Sequence, residues 1–266
     1  MTNEGRSGPS FFIAGAPKCG TTALYSYLKA HPKVFMPDLK EPHFFSVDLP
    51  GIREINQWPD YLALFDAAPD GTLRGEASAS YLMSEEAIGR ILSVQPAAKF
   101  ILILRNPIEM AHAFHAELLY NLNEDVEDFS RAWDLQGDRA RGRHLPPGTK
   151  ETRLLQYRAV CSIGDQLERF LGQVPSDQRL ILLFDDLKAD PSTQYLGMLE
   201  HLGLPDDGRR VFSRENPSRI LRSRWLASFH RSLPRRLGRV YPLAKACGNA
   251  LLSDSLSHGL IHVPPL

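Results

Sequence analysis

Between Gly15 and Thr22 the chain reads Gly-Ala-Pro-Lys-Cys-Gly-Thr-Thr, small residues with one cation and two hydroxyls, a composition that suits an anion. Backbone N–H groups of a tight turn, followed by the positive end of a helix, converge on phosphate-like oxygens. In a nucleoside-triphosphatase loop the Lys directly follows the second Gly. Here Gly15 and Gly20 keep that spacing, but Thr21 takes the Lys position and Lys18 stands midway round the loop. From there its ammonium is placed for a bridging oxygen rather than a terminal phosphate. Two other stretches carry reactive types. Glu41 and His43 flank Pro42 in Lys40-Glu41-Pro42-His43-Phe44-Phe45, and Arg105 closes the apolar run Phe100 to Leu104.

The elements that must position these groups follow from hydrophobic pattern. Phe11 to Ala14 is an apolar run of strand length, and Ala23, Leu24, Tyr27 and Leu28 recur at helical spacing behind the loop. Pro42 forbids a helix, so Glu41, His43 and Phe45 are expected on one face of an extended segment with Phe44 on the other. Residues 58 to 68 read as one short helix and Ser84 to Ser93 as another. Lys99 to Leu104 reads as a second buried parallel strand, with a helix opening at Pro107. An Arg at the carboxyl end of such a strand lies where open α/β sheets bind ligands. Residues 121 to 150 are charged and broken by Pro146-Pro147-Gly148, which reads as a helix and a mobile loop, and helical periodicity returns over 151 to 171. Leu180 to Phe184 reads as a third buried strand. Asp185 and Asp186 after it are read as structural, and Asp190-Pro191 starts a helix that ends at Gly203.

Pro17-Lys18-Cys19-Gly20-Thr21-Thr22 resembles the 5'-phosphosulfate loop of the sulfotransferases that use PAPS (3'-phosphoadenosine 5'-phosphosulfate), nearest the branch of the heparan sulfate sulfotransferase domains and their bacterial relatives. The resemblance covers residues 10–225. It implies an α/β fold, a P-loop-like parallel sheet flanked by helices on both faces, and a metal-independent transfer of a sulfuryl group to an acceptor hydroxyl or amine, leaving PAP (3',5'-adenosine bisphosphate). Pro17, Lys18, Cys19, Gly20, Thr21 and Thr22 would bind the donor, with Lys18 also catalytic. Glu41 matches the general base of the family's Lys-Glu-x-x-Phe-Phe segment, with His43 as the runner-up and Lys40 beside the substrate. Gly75-Glu76-Ala77-Ser78-Ala79-Ser80-Tyr81 resembles a segment lining the acceptor cleft, which makes Glu76 and Ser78 substrate contacts. Arg105-Asn106-Pro107 resembles the 3'-phosphate segment, and Asn216-Pro217-Ser218-Arg219 a stretch that closes over the nucleotide, adding Ser218 and Arg219 to the donor set. Met110 replaces a usual Arg and Ala113 the usual phosphate-binding Ser. His112, His115 or a C-terminal Arg is the expected substitute.

Whole-chain composition bounds these readings. With 266 residues, 43% of them apolar, one substantial core is expected. Lys plus Arg and Asp plus Glu each total 31, a balance that disfavours a general nucleic-acid binder. The first nine residues lack an apolar signal core, no stretch approaches a membrane span, and Cys19, Cys161 and Cys247 form no pairing pattern or metal-ligand spacing. A cytoplasmic protein is therefore expected. It would comprise a disordered 1–9, an α/β domain over 10–230 and a basic extension over 231–266, with homo-oligomerisation left open. After Gly208 eleven Arg and Lys face only Glu215 and Asp254. A P-loop kinase or ATPase, supported by the glycine spacing and Asp185, and a non-catalytic anion-binding module remain the alternatives. The acceptor, a small molecule, lipid or carbohydrate, is not legible.

Overall fold

A computed structural model describes residues 8–213. Five strands and ten helices are used below. They run β1 (Phe11–Gly15), α1 (Thr21–Lys29), β2 (Val34–Phe35), α2 (Trp58–Ala63), β3 (Leu73–Ala77), α3 (Ala87–Val94), β4 (Lys99–Leu104) and α4 (Pro107–Tyr120). After these come α5 (Phe129–Asp134), α6 (Gln136–Arg139), α7 (Tyr157–Cys161), α8 (Ile163–Gln173), β5 (Arg179–Leu183), α9 (Phe184–Ala189) and α10 (Pro191–Leu202). The strands form one parallel sheet in the order β2-β3-β1-β4-β5.

This order dictates where a ligand goes. The connection leaving β1 travels one way along the sheet, to β2, and the connection leaving β4 travels the other way, to β5. Right-handed crossovers then place their helices on opposite faces. The chain parts company with itself between the carboxyl ends of β1 and β4, the switch point at which open α/β sheets bind ligands. The Gly15–Gly20 loop and Arg105 both emerge there.

Every residue of β1 is buried, as a strand covered on both faces must be, and β4 is buried from Phe100 to Leu104. Phe12 stacks on Phe100 and meets Phe45 and Tyr81 edge-on, so the central strands and the segment after Glu41 share one aromatic core. Asn106 caps α4 by accepting from the Ile108 N–H, with Pro107 in the first helical position. Asp190 likewise caps α10, and Gly203 ends it at φ 70°.

Three expectations change. β3 was not foreseen as a strand, because Leu73–Ala77 lacks the β-branched signature; Gly75 is needed there because a Cβ would stand 2.1 Å from the Phe11 ring. β5 is not a buried strand but the last of the five, and Leu183 is 52% exposed on it. The charged stretch 121 to 150 is anchored rather than loose. Arg139 and Glu124, both buried, face each other fork to fork at 2.5 and 2.6 Å, and Tyr157 donates to the same carboxylate at 2.6 Å. No described helix is long and apolar enough to cross a membrane. Ser218, Arg219 and the basic extension 231–266 lie outside the described residues.

Candidate functional site

The loop after β1 is held from three sides. The Ala16 N–H donates to Ile103 of β4 at 2.9 Å, the Cys19 N–H returns to Ala16 at 3.3 Å, and Arg105 Nη1 donates to the Lys18 carbonyl at 3.5 Å. Lys18 adopts φ 60° and Gly20 φ 104°, left-handed conformations that curl the loop. Gly20 is fitted twice over, since a Cβ would also stand 3.1 Å from the Phe184 ring. Ala23 and Leu24 donate to the Gly20 carbonyl, whereas Thr21 and Thr22, the first two residues of α1, occupy positions whose N–H groups lack an i−4 acceptor within the helix. These donors, with Lys18, are what the loop offers an anion.

Cys19 and Pro17 serve the loop rather than a ligand. The Cys19 side chain is fully buried, its N–H is already used, and its thiol lies 3.4 Å from the Pro17 carbonyl. Burial pushes its pKa up to about 12, so it is a neutral packing group. Pro17 has no N–H to give. In this structure the two residues shape the loop.

Glu41 and His43 come together, though not by strand alternation. His43 takes φ 51°, which breaks the extended geometry, so Phe44 and Phe45 both pack with Tyr61 instead of facing apart. The Glu41 carboxylate accepts from Lys40 Nζ at 2.8 Å and from the Ala79 N–H at 3.2 Å, and His43 Nε2 lies 3.2 Å from it. Burial raises its pKa, but the charges of Lys40 and His43 and these hydrogen bonds outweigh burial and hold it below the usual carboxylate range. Burial lowers His43, and Glu41 only partly restores it, so the ring is neutral near pH 7. The charge of the carboxylate favours the proton on Nε2, 3.2 Å from it, which assigns Nδ1 as acceptor of Ser80 Oγ at 2.7 Å. Ser46 Oγ stands 2.9 Å behind Ser80. A buried chain Ser46–Ser80–His43–Glu41 results, with the Glu41 side chain 21% exposed at its open end.

The segment Ser78–Leu82 joins this chain to the loop. Ala79, which holds Glu41 through its N–H, places its carbonyl 3.3 Å from where a Gly15 Cβ would stand, and Leu82 Cβ would be 2.6 Å from that Cβ. Gly15 is thus required by close packing of the Ser78–Leu82 segment on the loop. Lys40 points at Glu41 and is 15% exposed in its side chain.

Glu76 is not placed to touch a substrate. It is 0% exposed in the core of β3, where Tyr81 and Tyr61 donate to one of its oxygens at 2.6 and 3.0 Å. Burial, reinforced by the Glu41 charge, pushes its pKa to about 7. Ser78, also fully buried, accepts from the His43 N–H at 3.0 Å and acts through that residue. The structure thus encloses both of the residues expected at the substrate within the core. His112 and His115 are no substitute for the missing hydroxyl at Ala113. Both rings pack on Phe129, and His115 Nε2 bonds the Val126 carbonyl at 2.9 Å.

Several contributors escaped sequence reasoning. Phe184 lies under the Arg105 guanidinium at 4.7 Å, a contact only the β4–β5 pairing creates. Glu109 and Glu117 approach Arg105 and Lys18; the i,i+4 spacing of Arg105 and Glu109 was a readable signal. A cleft of about 760 Å³ opens beyond Met83 and Glu85, lined by Trp133, Arg153 and Arg158 among others. It borders the segment that follows Glu41 and His43, because Arg153 and the Glu85 N–H both bond Asp48, two residues after Ser46.

The fold is a parallel α/β sheet with a glycine-bounded loop at its switch point, against which the segment holding the Glu41 carboxylate packs. Residues 9–226 match the family model of the sulfotransferase domain, and the chain belongs to that family. It is 29% identical over 204 residues to the human bifunctional heparan sulfate N-deacetylase/N-sulfotransferase 3, a match covering 73% of this chain and 23% of that protein. Human heparan sulfate glucosamine 3-O-sulfotransferase 6 is 28% identical over 240 residues, covering 89% and 65%. The chain thus spans about a quarter of the former relative's length. Among solved structures, a sulfotransferase from Alicyclobacillus acidocaldarius superposes with a TM-score of 0.68 at 31% identity, over 79% of this chain and 87% of that one. A mouse sulfotransferase complexed with PAP shares the fold, with a TM-score of 0.50 at 15% identity and 76% and 60% coverage.

Proposed function

We propose that this protein transfers a sulfuryl group from PAPS to a hydroxyl or amine of a small-molecule, lipid or carbohydrate acceptor. The observation that carries the reading is the junction at Ala79, where the segment gripping ionised Glu41 packs directly on the Lys18 loop. When bound, the donor supplies an electrophilic sulfuryl group and a bisphosphate leaving group. The residues present fit it: the first-turn N–H groups of Thr21 and Thr22 and the Lys18 ammonium suit the 5'-phosphosulfate, and Arg105 suits the 3'-phosphate.

Lys18 and the loop amides stabilise negative charge that develops on the departing phosphate side. Glu41 accepts the acceptor's proton. Its lowered pKa keeps it ionised through the neutral range, and the neutral His43 ring, held in one tautomer by Ser80, steadies the carboxylate from its Nε2 side. Glu41 takes the base role and His43 the supporting one. The cleft by Trp133 and Arg153 is the route for the acceptor. Ser218 and Arg219 are assigned to the donor by resemblance, and a cytoplasmic setting is proposed on the composition.

The test is sulfuryl transfer from labelled PAPS to an acceptor panel, alongside calorimetric titration with PAP and with ATP plus magnesium. Lys18→Ala and Glu41→Ala should each lose at least about 100-fold in turnover, the usual scale for a general base or an oxyanion donor. Arg105→Ala should mainly weaken PAP binding. Undiminished turnover in Glu41→Ala removes it from the mechanism, and magnesium-dependent ATP binding with PAP silent overturns the reading in favour of a kinase. The kinase reading gains no support from Asp185, which is exposed on α9 and lies 3.7 Å from Lys188 of its own helix.

A further inference from the structure

The two cations at the switch point already have carboxylate partners, and both partners come from α4. Lys18 Nζ lies 3.2 Å from Glu117, and Arg105 aims Nε and Nη2 at one oxygen of Glu109, at 2.9 and 2.6 Å. Because Arg105 also donates to the Lys18 carbonyl, the two pairs are neighbours. Glu109, Ala113 and Glu117 are spaced by four, so they form one stripe along the helix. Ala113, between the acids, brings neither charge nor hydroxyl.

The wall of the site therefore carries two formal negative charges where an anion is to be received. Opposing effects follow. A carboxylate can steady a long cationic side chain in a useful rotamer, which would favour binding. It also repels an incoming anion and must share its cation. Lys18 and Glu117 are 33% and 39% exposed in their side chains, and Glu109 is 54% exposed. Pairs this wet contribute little ordering, whereas repulsion of a multiply charged ligand acts over the whole site within a Debye length. Repulsion wins.

We propose that Glu109 and Glu117 are specificity-determining residues of the donor site, which hold down its affinity for anions and grade ligands by their charge. The proposal rests on the reading of the Lys18 loop as a nucleotide-anion site. It casts the acids as aids to product release: a bisphosphate product meets the same two charges as it departs. Neither carboxylate is a catalytic residue.

The experiment is calorimetry on the full chain with PAP, AMP and inorganic pyrophosphate, comparing wild type with Glu109→Gln, Glu117→Gln and the double variant. Glu86→Gln, which breaks a similar surface pair with Arg90 on α3, is the control. Each α4 variant should tighten PAP binding by about three- to tenfold at low salt, with a smaller gain for AMP and a smaller gain again at high salt. Donor KM should fall while turnover at saturating donor does not rise, and the control should change nothing. Unchanged or weaker PAP affinity in both variants overturns the inference while leaving the PAPS reading intact. PAP silent throughout, with pyrophosphate bound and tightened by the substitutions, sustains the inference and removes PAPS as donor. Silence toward all three anions in every variant overturns both.

Discussion

Glu76→Gln should make the protein more stable at neutral pH by removing a buried carboxyl that resists ionisation. Glu76 has no exposed surface, and one of its oxygens has no hydrogen-bond partner, while Tyr61 and Tyr81 both donate to the other. Burial raises its pKa from 4.5 to about 7 in the fold, against the pull of the tyrosine and Ser78 hydroxyls and with help from the Glu41 charge. A group raised in the folded state stabilises it fully below the unfolded value and loses that contribution as pH rises through the folded value. The window here is pH 4.5 to about 7. At about 1.4 kcal/mol per pH unit, the contribution lost across it is about 3 kcal/mol. Gln keeps an acceptor oxygen for the tyrosines and does not titrate, so the variant escapes the loss. The assay is urea unfolding of both proteins from pH 4 to pH 8, reading the difference in unfolding free energy, which cancels the titrating groups that do not interact with Glu76. That difference should climb by about 3 kcal/mol in favour of the variant between pH 4.5 and 7. A difference that is flat, or that falls with pH, refutes the reasoning and means that Glu76 is comfortably ionised in the fold.

Other outcomes follow from the same geometry. Arg139→Met strands the buried Glu124 carboxylate and should cost about 3–5 kcal/mol, measured by urea unfolding, whereas the double change with Glu124→Leu should recover most of it. Gly20→Ala places a Cβ 3.1 Å from Phe184 at φ 104°, so it should weaken PAP binding in calorimetry and destabilise the chain by at least about 1 kcal/mol. Ser80→Ala removes the hydroxyl that fixes the His43 tautomer and should lower turnover about tenfold with donor KM unchanged. Ser80→Thr should restore turnover if the hydroxyl is what matters.

The loop was legible because its chemistry is local. Gly15, Lys18, Gly20 and the two threonines act through backbone shape and helix-end dipoles, which short spacing encodes. The same holds for Phe11 to Ala14 and Lys99 to Leu104, whose apolar runs announce strands buried on both sides, and for the Asn106 and Asp190 caps. Tertiary structure decided the rest, because the energies concerned arise between segments far apart in the chain. Glu76 reads as a ligand contact from its neighbours in the chain, but Tyr61 and Tyr81 close over it in the fold. β5 looked buried until the strand order left it outermost. Glu41 and His43 were named from their neighbours, but whether the carboxylate is ionised and the ring neutral depends on Lys40, on the Ala79 N–H and on a serine 37 residues from His43. Sequence alone determined the loop and the central strands that frame it; the pairing of β1 with β4 at the switch point, and the burial it imposes, decided which charges meet there.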